Sequence, residues 1–315
     1  MRGRPLLINF LLAALGLNLL LAPPAAAGGA RVAVLLSDQE HAYQQPLSHM
    51  EAALGMRLPV YSLHGDVETA PGIMTELLAG RPELVVAFGA KAAYVAKTWS
   101  REQPNLSVLF AMVLNWQRYH LRETARVAGI AAEVSPSTQL ANLAMFSPQM
   151  KKLGIIYSEE FTADVVREIR ETAALLDIEV VAEAIRDPRE FQLAYRKMTD
   201  RVDAFWLLAD PLIYTLENVS WLKEQCIKDR LICIGQSENI AKAGMLLAVD
   251  PDPASIGEQA AALVRAVLDG KKSIEQIGVM QPLGTRVILN MRTAREIGLP
   301  IDRLRRDFAD TVIDY

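Results

Sequence analysis

Ser37-Asp38, Gly89-Ala90-Lys91 and Asn115-Trp116 each follow an apolar run in the first half of the chain. Ser158-Glu159, Asp210, Ser237-Glu238 and Asp250 do the same in the second half, and Tyr43, Trp116, Tyr157 and Tyr214 stand close by. Hydroxyls, amides and carboxylates at such places support recognition: free backbone N–H groups at helix starts suit an anionic group, and carboxylates suit an ammonium. Taken singly, each Asp or Ser is equally accounted for as a helix cap. Taken together, the set reads better as a binding surface.

Reaction chemistry finds no comparable set. Gly235-Gln-Ser-Glu-Asn239 approaches a nucleophile elbow but lacks its last Gly, and His41, His49, His64 and His120 all precede the Ser, where that fold needs a His after it. Gly270-Lys-Lys-Ser273 resembles the end of a P-loop, yet Arg265 stands where its first Gly belongs and a helix precedes it. No dinucleotide fingerprint follows a strand, and the histidines share no metal-ligand spacing. No catalytic residue, cofactor or metal is expected.

The elements that must position these residues repeat one phrase: an apolar run, a turn signal, an amphipathic helix. Arg31–Ser37, Leu84–Phe88 and Val108–Met112 read as strands, with helices around 44–55, 71–79 and 90–99. Runs without polar alternation are buried on both faces, as in a parallel sheet covered by helices. The phrase restarts after residue 150. Leu153–Tyr157, Ile178–Val181, Ala204–Leu208, Leu231–Ile234 and Met245–Val249 are strands, and Val166, Ile169, Ala173 and Leu176 mark a helix face. Asp187-Pro188-Arg189-Glu190 starts one helix, and Asp252-Pro253 starts another that runs to Gly270. The class is α/β: two Rossmann-like lobes with parallel sheets around a ligand cleft, which lies outside the carboxyl ends of the strands.

Asp210 is the sharpest candidate. It stands two residues beyond an apolar strand, and Pro211 prevents that strand from continuing. Its carboxylate is expected in the cleft; the alternative, a cap for the helix starting near Thr215, gives way to Thr215 itself, which lies in better register.

Composition agrees with a folded, exported protein. The chain has 315 residues, 51% of them hydrophobic, with a net charge of −4, which excludes disorder and offers nucleic acid no basic surface. Arg2 and Arg4, the apolar run Leu6–Leu21 and the small-residue end Pro23–Ala27 read as a signal peptide over residues 1–27, interrupted by Asn9, Gly16 and Asn18 and too short to span a membrane. Cleavage after Ala27 leaves 31 basic and 37 acidic residues. A periplasmic location permits a disulfide between Cys226 and Cys233, but two buried thiols are the simpler reading, since a bridge closes only a short loop.

Val85–Ala92, Leu109–Asn115, Ala128-Gly-Ile130, Leu153–Tyr157, Asp203–Asp210, Ile234–Glu238, Ala243–Asp250, Ile256–Gln259 and Leu289–Leu299 occur in a familiar order. The set resembles substrate-binding proteins of ABC transporters with the type I periplasmic-binding fold, in the branch that includes tryptophan- and tyrosine-binding members. The resemblance implies three crossings between lobes: residues 28–133 with 251–280 in the first, and 134–250 with 281–315 in the second. It places Ala90, Asn115, Ser158, Asp210, Ser237 and Asp250 at the cleft, beside Asp38 from the strand-end reading. Many relatives carry a hydroxyl where this chain has Ala90, followed by Lys91, which weighs against an amino-acid ligand. The implied partners of this monomer are a small organic solute, amino-acid-like or aromatic, and an ABC permease in the inner membrane. A ligand sensor for a membrane receptor kinase and an exported α/β enzyme are the competing readings. A DNA-binding relative is excluded by the signal segment, which occupies the place of a helix-turn-helix.

Overall fold

The computed structural model describes residues 31–314, so the expected signal segment at 1–27 lies outside the described residues. In chain order the elements are Val32–Leu36 (β1), His41–Leu54 (α1), Val60–Ser62 (β2), Ala70–Ala79 (α2), Leu84–Phe88 (β3), Ala90–Ser100 (α3), Ser107–Val113 (β4) and Val127–Ala131 (β5). Pro136–Phe146 (α4), Lys152–Tyr157 (β6), Glu159–Leu175 (α5), Glu179–Ala184 (β7), Phe191–Met198 (α6), Ala204–Trp206 (β8), Leu216–Lys228 (α7), Ile232–Gly235 (β9), Glu238–Ala243 (α8) and Leu247–Pro251 (β10) follow. The chain ends with Pro253–Leu268 (α9), Ile274–Ile277 (α10), Val279–Met280 (β11), Thr285–Asn290 (β12), Met291–Ile297 (α11), Arg303–Phe308 (α12) and Thr311–Ile313 (β13).

Two sheets form. The first has the order β11-β5-β4-β3-β1-β2, and the second β13-β12-β10-β9-β8-β6-β7. β1, β3 and β5 are buried at every position because helices cover both faces of their sheet. Each sheet accordingly has an apolar core on either side. Pairing is parallel except between β10 and β12. β2 and β11 escape a search for buried apolar runs because they are short and partly exposed, whereas the strand read at Ile178–Val181 is β7, displaced by a few residues.

The chain passes between the sheets three times: from β5 into α4, from β10 into α9, and from β11 into β12. The second passage is held by packing. A Cβ on Gly257 would lie 2.4 Å from the Pro46 carbonyl oxygen, so only glycine lets α9 settle this closely on α1. Asp252 accepts from the amides of Ala254 and Ser255 at the start of α9, and Gly270 turns the chain at φ +68° beyond its end. Val166, Ile169 and Ala173 are buried along α5, but Leu176 lies beyond the last turn and is exposed.

Cys226 on α7 and Cys233 on β9 form a disulfide, with Cα atoms 6.1 Å apart. This corrects the reading as two thiols: only a short turn separates α7 from β9, and both cysteines are buried in the same core. Among the described residues no helix is long and apolar enough to cross a membrane.

Candidate functional site

The seven residues singled out from the sequence fall in four places. Ser158 and Asp210 meet inside the second half of the molecule. Asp210 is fully buried, and its Oδ2 accepts from the Ser158 amide at 2.8 Å, the Ser158 hydroxyl at 2.7 Å and the Thr162 hydroxyl at 2.5 Å. Its Oδ1 accepts from the Leu212 amide at 2.9 Å. β8 ends already at Trp206, well before Pro211, and the Asp210 carboxylate lies inward, at the start of α5. A negative group there satisfies free N–H groups and complements the helix dipole. Ser158 therefore makes no cap bond to α5 of its own, and Thr215 caps α7 by accepting from Asn218. The carboxylate expected in the cleft is engaged by four donors instead.

Asp38 and Ala90 lie on a cavity of about 520 Å³ in the first half, with Tyr43, Lys91, Tyr94 and Tyr119. Gly89 adopts φ +87°, and a Cβ there would lie 2.6 Å from the Ser37 hydroxyl and 2.7 Å from that of Tyr43. The bare backbone lets Ser37 accept from the Ala92 amide at 2.9 Å, doing for α3 what a capping side chain at position 89 would do. Lys91 donates to the Gly65 carbonyl, just beyond β2, at 2.5 Å. Asp38 accepts from the Gln39 amide at 2.6 Å. Burial, reinforced by Glu40 and Asp38, pushes the Tyr43 phenol above its usual range.

Asn115 lies on a second cavity, a cleft of about 590 Å³ walled by both halves of the molecule. It sits at φ +50°, and its Nδ2 donates to the Ala209 carbonyl at 2.9 Å, from beyond β4 to beyond β8. Its amide donates to the Glu133 carboxylate. Arg118 from the same loop lies over the Phe161 ring of α5, 5.4 Å from its centroid. Burial pushes the Glu133 carboxyl above the usual carboxylate range, against backbone N–H groups that lower it. Glu133 Oε2, Gln139 Oε1 and Trp206 Nε1, all on residues of this cleft, are buried without a hydrogen-bond partner among the described residues.

Ser237 and Asp250 form a fourth group at the ends of β9 and β10. Asp250 accepts from the Glu238 amide at 3.1 Å and stands 3.8 Å from Arg286, which also faces Glu238 at 3.5 Å. Ser237 hydrogen-bonds the Tyr214 phenol, whose proton burial holds in place. Burial likewise raises the Asp250 carboxyl, opposed by the Glu238 amide and Arg286. This group is largely self-neutralised.

Glu133, Gln139, Trp206, Arg118 and Phe161 escaped the reading of the sequence. Glu133 carries a findable signal, since it stands two residues beyond β5 and so obeys the strand-end rule. Trp206 carries none: within an apolar strand its ring reads as core, and only tertiary placement leaves its N–H without an acceptor.

A family model described as ABC transporter substrate binding protein matches residues 55–306. No curated protein matches the chain. Among solved structures, a ligand-free, open substrate-binding protein with adhesive properties from Clostridium difficile is similar at TM-score 0.74 and 16% identity, over 90% of this chain and 98% of that one. A protein from Streptococcus pneumonia solved with L-Trp is similar at TM-score 0.62 and 19% identity, over 90% and 100%. A conserved domain protein from Vibrio cholerae gives TM-score 0.61 and 16% identity, over 90% and 99%. These likenesses show the shared fold, that of type I periplasmic binding proteins.

Proposed function

Since the chain belongs to the ABC transporter substrate-binding protein family, we propose that it captures a small organic solute between its two lobes and delivers it to an ABC permease in the inner membrane. The family binds substrates rather than transforming them, and no residue is assigned to catalysis. The protein works in the periplasm as a monomer, after removal of the segment ending near Ala27.

The observation that carries this reading is the cleft of about 590 Å³ whose walls come from both halves, clasped where Asn115 reaches Ala209. A surface that exists only when two lobes meet favours the closed population when a ligand touches both. In this reading Asn115 meets the solute, since it alone of the seven lines this cleft, while Ser158 and Asp210 hold α5 in position. Trp116 and Phe161 on the cleft wall suit an aromatic or amino-acid-like solute.

A thermal-shift screen against amino acids, purines, aromatic acids and amines tests it. At about 100 times its dissociation constant, a ligand adds roughly 2.7 kcal/mol by mass action. A hit should also reduce the radius of gyration in small-angle scattering. Silence across a broad library of small solutes would overturn the assignment.

A further inference from the structure

The polar groups near the strand ends differ in one respect: whether they still have hydrogen-bonding capacity. Asp210 has four donors, Ser37 is held by α3, Lys91 by Gly65, and Asp250 by Glu238 and Arg286, where one buried atom, Arg286 Nε, is left over. In the interlobe cleft three buried atoms have none: Glu133 Oε2, Gln139 Oε1 and Trp206 Nε1. Gln139 and Trp206 are almost wholly enclosed. Native proteins leave few such atoms, because each forfeits its hydration without replacement. Three on the floor of one cleft form a complementary set, two acceptors and one donor.

We propose that Glu133, Gln139 and Trp206 form a recognition patch for a small organic cation bearing N–H donors, an amine, amidine or guanidine, with Glu133 Oε2 as its counter-charge. This rests on the reading of the cleft as the solute site and names the chemistry of the solute. Charge around the cleft supports a cation. Glu133, Glu160, Asp164 and Glu168 face it, against Arg118 and His120, the latter facing Glu123. Arg167 balances Asp164 from outside, and Arg118 lies over Phe161. Glu133 Oε1 takes the Asn115 amide, which fixes the carboxylate and leaves Oε2 to a ligand. Trp206 Nε1 then donates to any acceptor the cation carries. The three atoms are sealed from solvent in the present arrangement, so the cation enters when the Asn115–Ala209 clasp opens and is enclosed when it closes. Burial raises the Glu133 carboxyl, as expected of a carboxylate waiting for a counter-ion.

The test is a thermal-shift and calorimetric comparison of the exported protein with small aromatic and aliphatic amines, amidines and guanidines and with carboxylates of matched skeletons. Stabilisation by members of the cationic panel and not by their carboxylate counterparts is expected. Glu133→Gln should weaken the best cation by about ten- to a hundredfold, the range of one charge-assisted hydrogen bond, while the unliganded variant melts no lower than the parent. Trp206→Phe should weaken cations that carry an acceptor and spare those that do not. Binding of carboxylates or neutral solutes alone overturns the cation patch and leaves the solute-binding reading standing. A cation whose affinity survives Glu133→Gln overturns the patch as well. If neither panel binds, the patch falls, and the broader solute screen decides the fate of the binding reading separately.

Discussion

The Ser158 hydroxyl and the Asp210 carboxylate, 52 residues apart in the chain, lie 2.7 Å apart in the interior. The pair joins the end of β6 to the end of β8 and anchors the N-terminus of α5, the helix that carries Phe161 into the cleft wall. Both residues stand at strand ends, as a ligand contact would, yet their polar atoms serve each other. The pair shapes the site from below.

Asp210→Ala should therefore act on stability. It strands the donors of Ser158, Thr162 and Leu212 in a buried place, and breaking a buried charged network costs about 3–5 kcal/mol. Urea unfolding measures this loss. A variant as stable as the parent but with weakened solute affinity would restore Asp210 to the ligand.

Asn115→Ala removes the side-chain bond to the Ala209 carbonyl. One such bond has a net value of about 0.5–1.5 kcal/mol, so the unliganded equilibrium should move roughly two- to tenfold toward open forms. Small-angle scattering should record a larger radius of gyration without ligand and a smaller difference with it. Identical curves would show that the clasp does not govern closure.

Burial raises the Glu133 carboxyl, so the native state holds that proton more tightly than the unfolded chain does. The group's contribution to stability is complete below its unfolded value, about 4.3, and is lost as pH rises through the higher folded value. Glu133→Gln abolishes the titration. The unliganded variant should melt above the parent at about pH 8, with the gap narrowing on acidification as the parent takes up its proton. Asp250 shifts in the same direction but is common to both proteins and cancels in the difference. A gap that widens in acid would contradict this assignment.

Reduction of Cys226–Cys233 should destabilise the second lobe. The bridge spans a separation of seven residues, and chain entropy assigns a loop this short about 2.5 kcal/mol. Melting with and without reductant, and of Cys226→Ala/Cys233→Ala, reads the loss. Solute affinity should be retained, since both sulfurs lie in the core away from the cleft.

Protein exported from a bacterial host should begin near Gly28, because Ala25 and Ala27 have the small side chains that signal peptidase accepts. Intact-mass measurement decides it. A mass that retains residues 1–27 would remove the soluble periplasmic location.

Much of the fold is local information. Val32–Leu36, Leu84–Phe88 and Leu247–Val249 announce buried parallel strands because apolar residues occupy both faces. Asp252-Pro253 and Asp187-Pro188 announce helix starts because capping is settled within three residues. β12 is different: its antiparallel pairing with β10 follows from the third passage between sheets, which no neighbouring residue encodes.

The sequence by itself determined the α/β class, the recurrence of polar residues at strand ends, the exclusion of the familiar catalytic motifs and, through an ordered set of soft motifs, the family. Tertiary structure alone decided which polar groups are free. Asp210 and Glu133 both follow strands, and nothing in their local sequence says that one meets four donors while the other keeps an unpartnered oxygen beside a cleft. Hydrogen-bond partners act over about 3 Å, whereas those of Asp210 lie up to 52 residues away along the chain. A strand end places a side chain at the cleft, and only the neighbours brought there by folding decide whether it is left for a ligand.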